Sequence, residues 1–271
     1  MKILMIGDIV GRPGRTIVEQ LLPKLRKEED VDWVIANGEN LAGGVGLDRK
    51  TVKQIMDAGV DVVTSGNHVF RKEEAFEMLK RNDSPILRPA NYPPGTVGRG
   101  WRLFENALGQ KLIVINIIGR MYFREDFDCP FRAVDQILDK EIRAEGIDIS
   151  NVDAILVDFH AEATSEKMSM MHYLDGRVSA VLGTHTHVQT ADEKIMPLGT
   201  AIISDVGMTG AGDSVLGVKK NIVIKQYLTQ LPQKFVWKTS GPTFLSGVVI
   251  KTKNGSQKAI SIKRVLLNLD N

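Results

Sequence analysis

Five short polar segments stand directly after apolar runs in this chain. They are Gly7-Asp8, Asn37-Gly38-Glu39-Asn40, Ser65-Gly66-Asn67-His68, Asp158-Phe159-His160 and Gly183-Thr184-His185-Thr186-His187. Between them they hold four of the five histidines: His68, His160, His185 and His187. Carboxylates, amides and imidazoles pack poorly at strand ends and hold metal ions well. With no thiolate among them, the set suits manganese, iron or zinc better than calcium or a structural zinc. Two such ions about 3.5–4 Å apart clamp phosphoryl oxygens and make a hydroxide available at neutral pH. Hydrolysis of an anionic phosphoester needs both, so this donor set points to that chemistry.

Each segment alone has a plainer reading. Asp8 reads as a helix cap or turn residue, and Glu39-Asn40 as a polar turn before Gly43-Gly44-Val45-Gly46. Asn67-His68 reads as a turn after Gly66, and His160 as a hydrogen-bonded core histidine. His185 and His187 carry more weight, because i, i+2 spacing on extended chain puts both rings on one side. All five together are far more specific than any one. His172 stands apart, in the methionine-rich stretch 168–174, and reads as a packing or surface residue.

The elements that must position these residues follow an alternating pattern. Residues 2–6, 31–36 and 60–64 read as strands, and 17–27, 49–58 and 72–81 as amphipathic helices. That rhythm predicts a parallel sheet with right-handed crossovers, whose carboxyl-terminal strand ends line a ligand crevice. After a Pro/Gly-rich loop at 91–100, strand 111–118, helix 131–144 and strand 154–159 continue the pattern. The remainder reads as helix 168–174 and strands 178–182, 201–204, 247–252 and 259–266, with Lys253-Asn254-Gly255 as a hairpin turn. The expectation is an α/β fold with two sheets and helices outside them, forming a single domain over residues 1–271.

Composition narrows the partners. The 271 residues carry 35 Lys and Arg against 33 Asp and Glu, so no chain-wide charge drives the protein toward nucleic acid. Aromatics are 6%, and no basic stripe with interleaved aromatics is present, so RNA association ranks low. The one cysteine, Cys129, fits a reducing compartment, and no apolar run approaches the ~20 residues of a membrane span. A cytoplasmic protein is expected. The glycine-rich start, Gly7 to Arg15, lacks the Gly-Lys-Ser/Thr ending of a nucleotide-triphosphate loop and does not match G-x-G-x-x-G. Arg12 and Arg15 read as solvated arginines with phosphate contact as the rival reading. The loop 207–217 reads equally as an active-site wall or an inert surface loop.

The ordered set GDIVG, NGEN, SGNH, DFHAE and GTHTH resembles the calcineurin-like metallophosphoesterases, and more closely their YmdB-type bacterial branch. The resemblance runs from Asp8 to His187. It implies a two-sheet sandwich flanked by helices in four layers and a phosphodiesterase acting on substrates such as 2′,3′-cyclic nucleotides. It implies a dinuclear centre in which Asp8, Asn40 and His187 bind the first metal. Glu39 would bridge, and Asn67, His160 and His185 would bind the second metal. His68 would protonate the leaving oxygen as a metal-bound hydroxide attacks phosphorus. The sequence departs from the broad superfamily in two places. The usual Asp-x-His opening is Asp8-Ile9-Val10, and the bridging Asp is Glu39 followed by Asn40; the close branch shares both changes. Iron or manganese is the expected metal, with zinc or magnesium as alternatives. A phosphomonoesterase of the same fold is the nearest rival, followed by a metal-containing regulatory or RNA-associated protein and a mononuclear iron oxygenase. A homo-oligomer is compatible with the sequence, and the substrate walls are expected at 91–100, 164–171 and 207–217.

Overall fold

A computed structural model describes residues 1–253 and 255–269. Strand β1 (Lys2–Ile6) passes through Gly7 into the two-residue β2 (Asp8–Ile9) and then helix α1 (Gly11–Glu28). Strand β3 (Trp33–Asn37), α2 (Arg49–Asp57), β4 (Val62–Thr64) and α3 (Glu73–Leu79) complete the first βα series. Helix α2 starts on a reciprocal cap, in which the Asp48 carboxylate accepts from Thr51 N and the Thr51 hydroxyl from Asp48 N.

Next come β5 (Trp101–Glu105), β6 (Lys111–Ile118) and α4 (Pro130–Gln136). A π-helical turn (Ile137–Glu141) joins α4 to the short α5 (Ile142–Ala144). Strand β7 (Ala154–His160), α6 (Thr164–Tyr173), β8 (Ala180–Thr184), β9 (Lys194–Ile195), β10 (Ala201–Ile203) and β11 (Met208–Ala211) follow. Helix α7 (Lys220–Thr229) and the long strands β12 (Thr243–Thr252) and β13 (Ala259–Leu269) end the described chain.

The strands form two sheets. The first has seven strands, with β1, β3 and β4 parallel and β12 antiparallel to β1. Strand β13 pairs along one edge of β12, while β11 joins its other edge near Thr243 and carries β2 beside it. The second sheet runs β5-β6-β7-β8-β10-β9, with its four central strands parallel.

Strand alternation sorts the core into layers. Ile3, Met5, Ile35 and Val62 of the first sheet meet Leu112, Val114, Leu156 and Leu182 of the second in one apolar cluster between the sheets. The opposite faces are covered by helices. Leu4, Ile6, Val34 and Val63 pack with Ile17, Leu22 and Ile55 of α1 and α2. Ile113, Ile115 and Val157 pack with Val134, Ile142 and Met170 of the helices beyond. Each buried Leu, Ile or Met stabilises the fold by roughly 1.5–3 kcal/mol. The result is the helix–sheet–sheet–helix arrangement expected from the sequence.

Several elements were not expected. Strands β2 and β11 lie in the two glycine-rich segments, and β5, β9 and α7 in stretches to which the sequence assigns no element. Helix α1 begins at Gly11 and α6 at Thr164, both earlier than their apolar periodicity. Strands β12 and β13 pair antiparallel, and between them Lys253 N donates to the Lys258 carbonyl at 2.9 Å and Ser256 N to the Lys253 carbonyl at 3.1 Å. Asn254, at the centre of the expected turn, lies outside the described residues. Among the described residues, no helix is long and apolar enough to cross a membrane.

Candidate metal centre

The carboxyl-terminal ends of the parallel strands in both sheets converge at one end of the sandwich. Three contacts tie them. Ser65 N, after β4, donates to Asn116 Oδ1 of β6 at 2.9 Å. Asn37 Nδ2, at the end of β3, donates to Asp158 Oδ2 of β7 at 3.1 Å. His185 N, after β8, donates to Asp8 Oδ2 of β2 at 3.1 Å. The metal-donor segments of one sheet therefore face those of the other.

Glu39 is the centre of the arrangement. Together with His160 and His185 it offers three donor atoms within 4.8 Å of one another, and with Asp8 and His187 it offers a second such set. Its Oε2 lies 3.2 Å from His160 Nε2, and its Oε1 lies 3.3 Å from His68 Nδ1. Burial works against the Glu39 charge, but His160 and His68 outweigh it and hold the carboxyl well below the usual range.

Hydrogen bonding assigns the ring nitrogens. The Thr184 hydroxyl donates its one proton to Asp158 Oδ1 at 2.7 Å, so at 2.9 Å from His160 Nδ1 it accepts from Nδ1–H. That leaves the His160 Nε2 lone pair pointing at Glu39. His185 Nε2 donates to Glu162 Oε2 at 2.9 Å, which leaves its Nδ1 lone pair 3.0 Å from His160 Nε2. Three electron-rich atoms thus converge. A proton or a cation must sit among them, since lone pairs at hydrogen-bond distance repel. Burial resists charging His160, but Glu39, Asp8 and Asp158 outweigh it and push its pKa up to about 9. Burial and the neighbouring His160 push His185 down to about 3.

Two further oxygens point the same way. Asp8 Oδ1 and Asn67 Oδ1 are buried without a hydrogen-bond partner among the described residues. A buried acceptor left unpaired costs ~1–3 kcal/mol, and more when charged. Burial, partly offset by His187 and His160, drives the Asp8 carboxyl up to about 6. Divalent cations would satisfy both oxygens, so the donor set fits a metal centre.

All eight residues singled out in the sequence lie here, but not all in the expected manner. His185 and His187 have left-handed backbone, φ 99° and 67°, instead of extended chain. Their rings accordingly join different donor sets. The Asn40 amide offers Nδ2 to Glu39 Oε1 at 3.0 Å and to His187 Nε2 at 3.3 Å, and its Oδ1 lies 2.9 Å from His68 Nδ1. To serve as an oxygen ligand beside His187, that amide must flip. His68 Nδ1 faces only acceptors and carries the proton, and Nε2 makes no hydrogen bond among the described residues.

Arg12 and His172 are exposed. Arg15 instead braces the fold, donating to Gln54 Oε1 at 2.6 Å and to the Leu41 carbonyl behind Asn40. The stretch 207–217 borders the site: β11 is buried within it, and the Leu216 carbonyl accepts from His187 Nδ1 at 3.3 Å. The loop 91–100 lines a cleft of about 860 Å3 together with Arg120 and Phe127.

Sequence reasoning missed the supporting shell. Asp158 accepts from Thr64, Thr184 and Asn37, and burial raises its pKa. Glu162 fixes His185 through the Nε2 contact. Lys167 and Asp205 form a buried ion pair at 2.6 Å, and Phe123 packs with its ring centroid 4.9 Å from that of His185. Asn37, Asp158 and Glu162 stood inside quoted motifs without a role. Lys167, Asp205 and Phe123 had no local signal.

Against known proteins, a family model described as YmdB-like protein matches residues 4–265. The chain belongs to the YmdB-like protein family. It is 45% identical over 271 residues to a Bacillus subtilis (strain 168) protein named 2′,3′-cyclic-nucleotide 2′-phosphodiesterase, covering 100% of this chain and 98% of that one. A crystal structure of a hypothetical protein from Thermus thermophilus superposes with a TM-score of 0.89 at 40% identity, covering 99% of both chains. The calcineurin-like phosphoesterase YfkN from Bacillus subtilis matches at TM-score 0.57 and 13% identity over 98% of this chain and 90% of that one. At that identity the likeness concerns the fold, which is a calcineurin-like phosphoesterase fold.

Proposed function

We propose that this chain is a single-domain, cytoplasmic, dinuclear phosphodiesterase that hydrolyses 2′,3′-cyclic nucleotides, opening the 2′ bond to leave a 3′-phosphate. The observation that carries the reading is Glu39, shared by two donor sets beside the unpartnered Asp8 Oδ1 and Asn67 Oδ1. Asp8, Asn40 and His187 would hold one ion and Asn67, His160 and His185 the other, with Glu39 between them. Iron or manganese suits this nitrogen and oxygen set. When bound, the pair would supply positive charge at the phosphoryl oxygens and acidify a water.

The chain's own groups do the rest. His68, whose Nδ1–H also faces Glu39 Oε1 at 3.3 Å whichever way the Asn40 amide is turned, keeps Nε2 available to give a proton to the departing 2′ oxygen. Thr184 and Glu162 hold His160 and His185 in the tautomers that leave Nε2 and Nδ1 as donors to a metal. The name of the Bacillus subtilis relative supports the substrate class. The single cysteine, Cys129, which has no intrachain partner, supports a reducing compartment.

The test is metal analysis of the protein as purified, then assays on cyclic nucleotides, open diesters and monoesters with each metal restored. Two ions per chain and a preference for 2′,3′-cyclic nucleotides are expected, with both lost in Glu39→Ala. In the same panel His68→Ala should lose ~10²–10⁴-fold on the nucleotide and much less on a nitrophenyl diester, whose leaving group needs no proton. Monoester preference, or two retained ions with full activity in Glu39→Ala, would overturn the reading.

A further inference from the structure

The loop 119–128, between β6 and α4, is built into the metal centre rather than draped over it. The buried Asn91 clamps both ends: its Oδ1 accepts from Ile118 N at 2.9 Å, and its Nδ2 donates to Ile118 O at 2.7 Å and Asp128 O at 2.9 Å. Gly119 N donates to the His160 carbonyl at 2.9 Å. The Glu166 carboxylate of α6, buried, accepts from Arg120 N at 3.0 Å and Met121 N at 3.3 Å. Further along, Phe123 lies against His185, and Phe127 is buried edge-on to it at 5.9 Å.

Between these pins stands Tyr122. Its backbone is left-handed, φ 69°, a region that a residue with a Cβ adopts at a cost. Its side chain is 78% exposed and makes no hydrogen bond or ring contact among the described residues. The free protein thus carries a strained backbone and an unburied aromatic ring at one position. Met121 N, held by Glu166, and the Phe123 ring, packed on His185, fix the chain on either side of it. Strain of this kind, held in place by its surroundings, belongs to ligand-binding segments. Tyr122 is also one residue, about 3.8 Å of backbone, from Phe123, whose ring touches a donor of the metal centre.

We propose that the loop 119–128 is the nucleobase-binding wall of the site, with the Tyr122 ring stacking on the base of a cyclic nucleotide whose phosphate lies at Glu39. A base offers a flat π-face whatever its identity, so an exposed phenol recognises nucleosides broadly, with the larger purines gaining most. This rests on the proposed phosphodiesterase reading and adds the residue that would separate nucleotides from base-free diesters.

The experiment compares kcat/KM for 2′,3′-cyclic AMP with that for a base-free ribose 2′,3′-cyclic phosphate in wild type, Tyr122→Ala and Tyr122→Phe. The nucleotide-to-base-free ratio should fall about tenfold in Tyr122→Ala, through KM, and should be kept in Tyr122→Phe. A ratio unchanged in Tyr122→Ala, or a loss shared equally by both substrates, overturns the proposal. If the wild type cleaves neither substrate, the phosphodiesterase reading fails separately. Calorimetry with adenosine 3′-monophosphate then judges the wall: affinity must drop in Tyr122→Ala and persist in Tyr122→Phe, and equal affinities overturn it.

Discussion

A Cβ at Gly66 would lie 2.2 Å from Glu39 Oε2 and 2.3 Å from His160 Nε2. The residue is glycine because the β4 turn must pass directly beneath the two donors that face each other across the sheets. One methyl group there forces the pair apart. Gly66→Ala should therefore lose bound metal and reduce turnover about 100-fold or more, the scale of a ~1 Å misplacement of reacting groups. Metal content measured alongside circular dichroism tests this; a folded Gly66→Ala protein with both ions and wild-type turnover would contradict the geometry. Glu39, His160 and His185 were legible as candidates because their types are unusual after apolar strands. Gly66 was legible only as a turn, because the clash it avoids involves residues 27 and 94 positions away.

At the scale of elements, the turn from His185 to His187 shows how the centre is held. Its left-handed residues are stabilised from behind by Asp205. That carboxylate accepts from Thr186 N at 3.0 Å, Thr186 Oγ1 at 2.6 Å and Gly207 N at 2.7 Å, and pairs with Lys167 Nζ at 2.6 Å. Lys167 and Asp205 are 2% and 1% exposed, so removing the cation leaves a buried charge uncompensated. Lys167→Met should cost ~3–5 kcal/mol in denaturant unfolding. Adding Asp205→Leu should not restore it, because the Thr186 and Gly207 N–H groups would lose their acceptor. Full recovery in the double variant would show that the pair acts by charge alone. Most elements missing from the sequence reading are too short or too exposed to show an apolar period. Strands β2, β9 and β11 have two to four residues, too few to show a period, and α7 buries only Val223. The longer β6, β7 and β12 announced themselves through continuous apolar runs.

At the scale of the whole molecule, packing two sheets face to face concentrates charge at one end, and that has a pH signature. In the metal-free protein the His160 pKa rises from the ordinary 6.5 to about 9. The proton it carries therefore adds stability that is complete below pH 6.5 and is lost as pH rises through about 9. Asp8, at about 6, and His185, at about 3, titrate below that window. The melting temperature in chelator should fall between pH 6.5 and 9, and added metal, replacing the proton, should flatten the curve. A flat profile without metal would contradict the assigned protonation.

The sequence by itself determined the donor types, their order along the chain and the strand ends that carry them. Apolar periodicity and residue chemistry are local properties, so they can be read without coordinates. The tertiary structure decided that Glu39 is shared by two donor sets. It decided too that His160 Nε2 and His185 Nδ1 face each other at 3.0 Å, and that the 119–128 loop stands beside them. Those relations arise only when two sheets pack against each other and bring Glu39 to His160 across 121 residues of chain, and no spacing within either sheet encodes the distance between them.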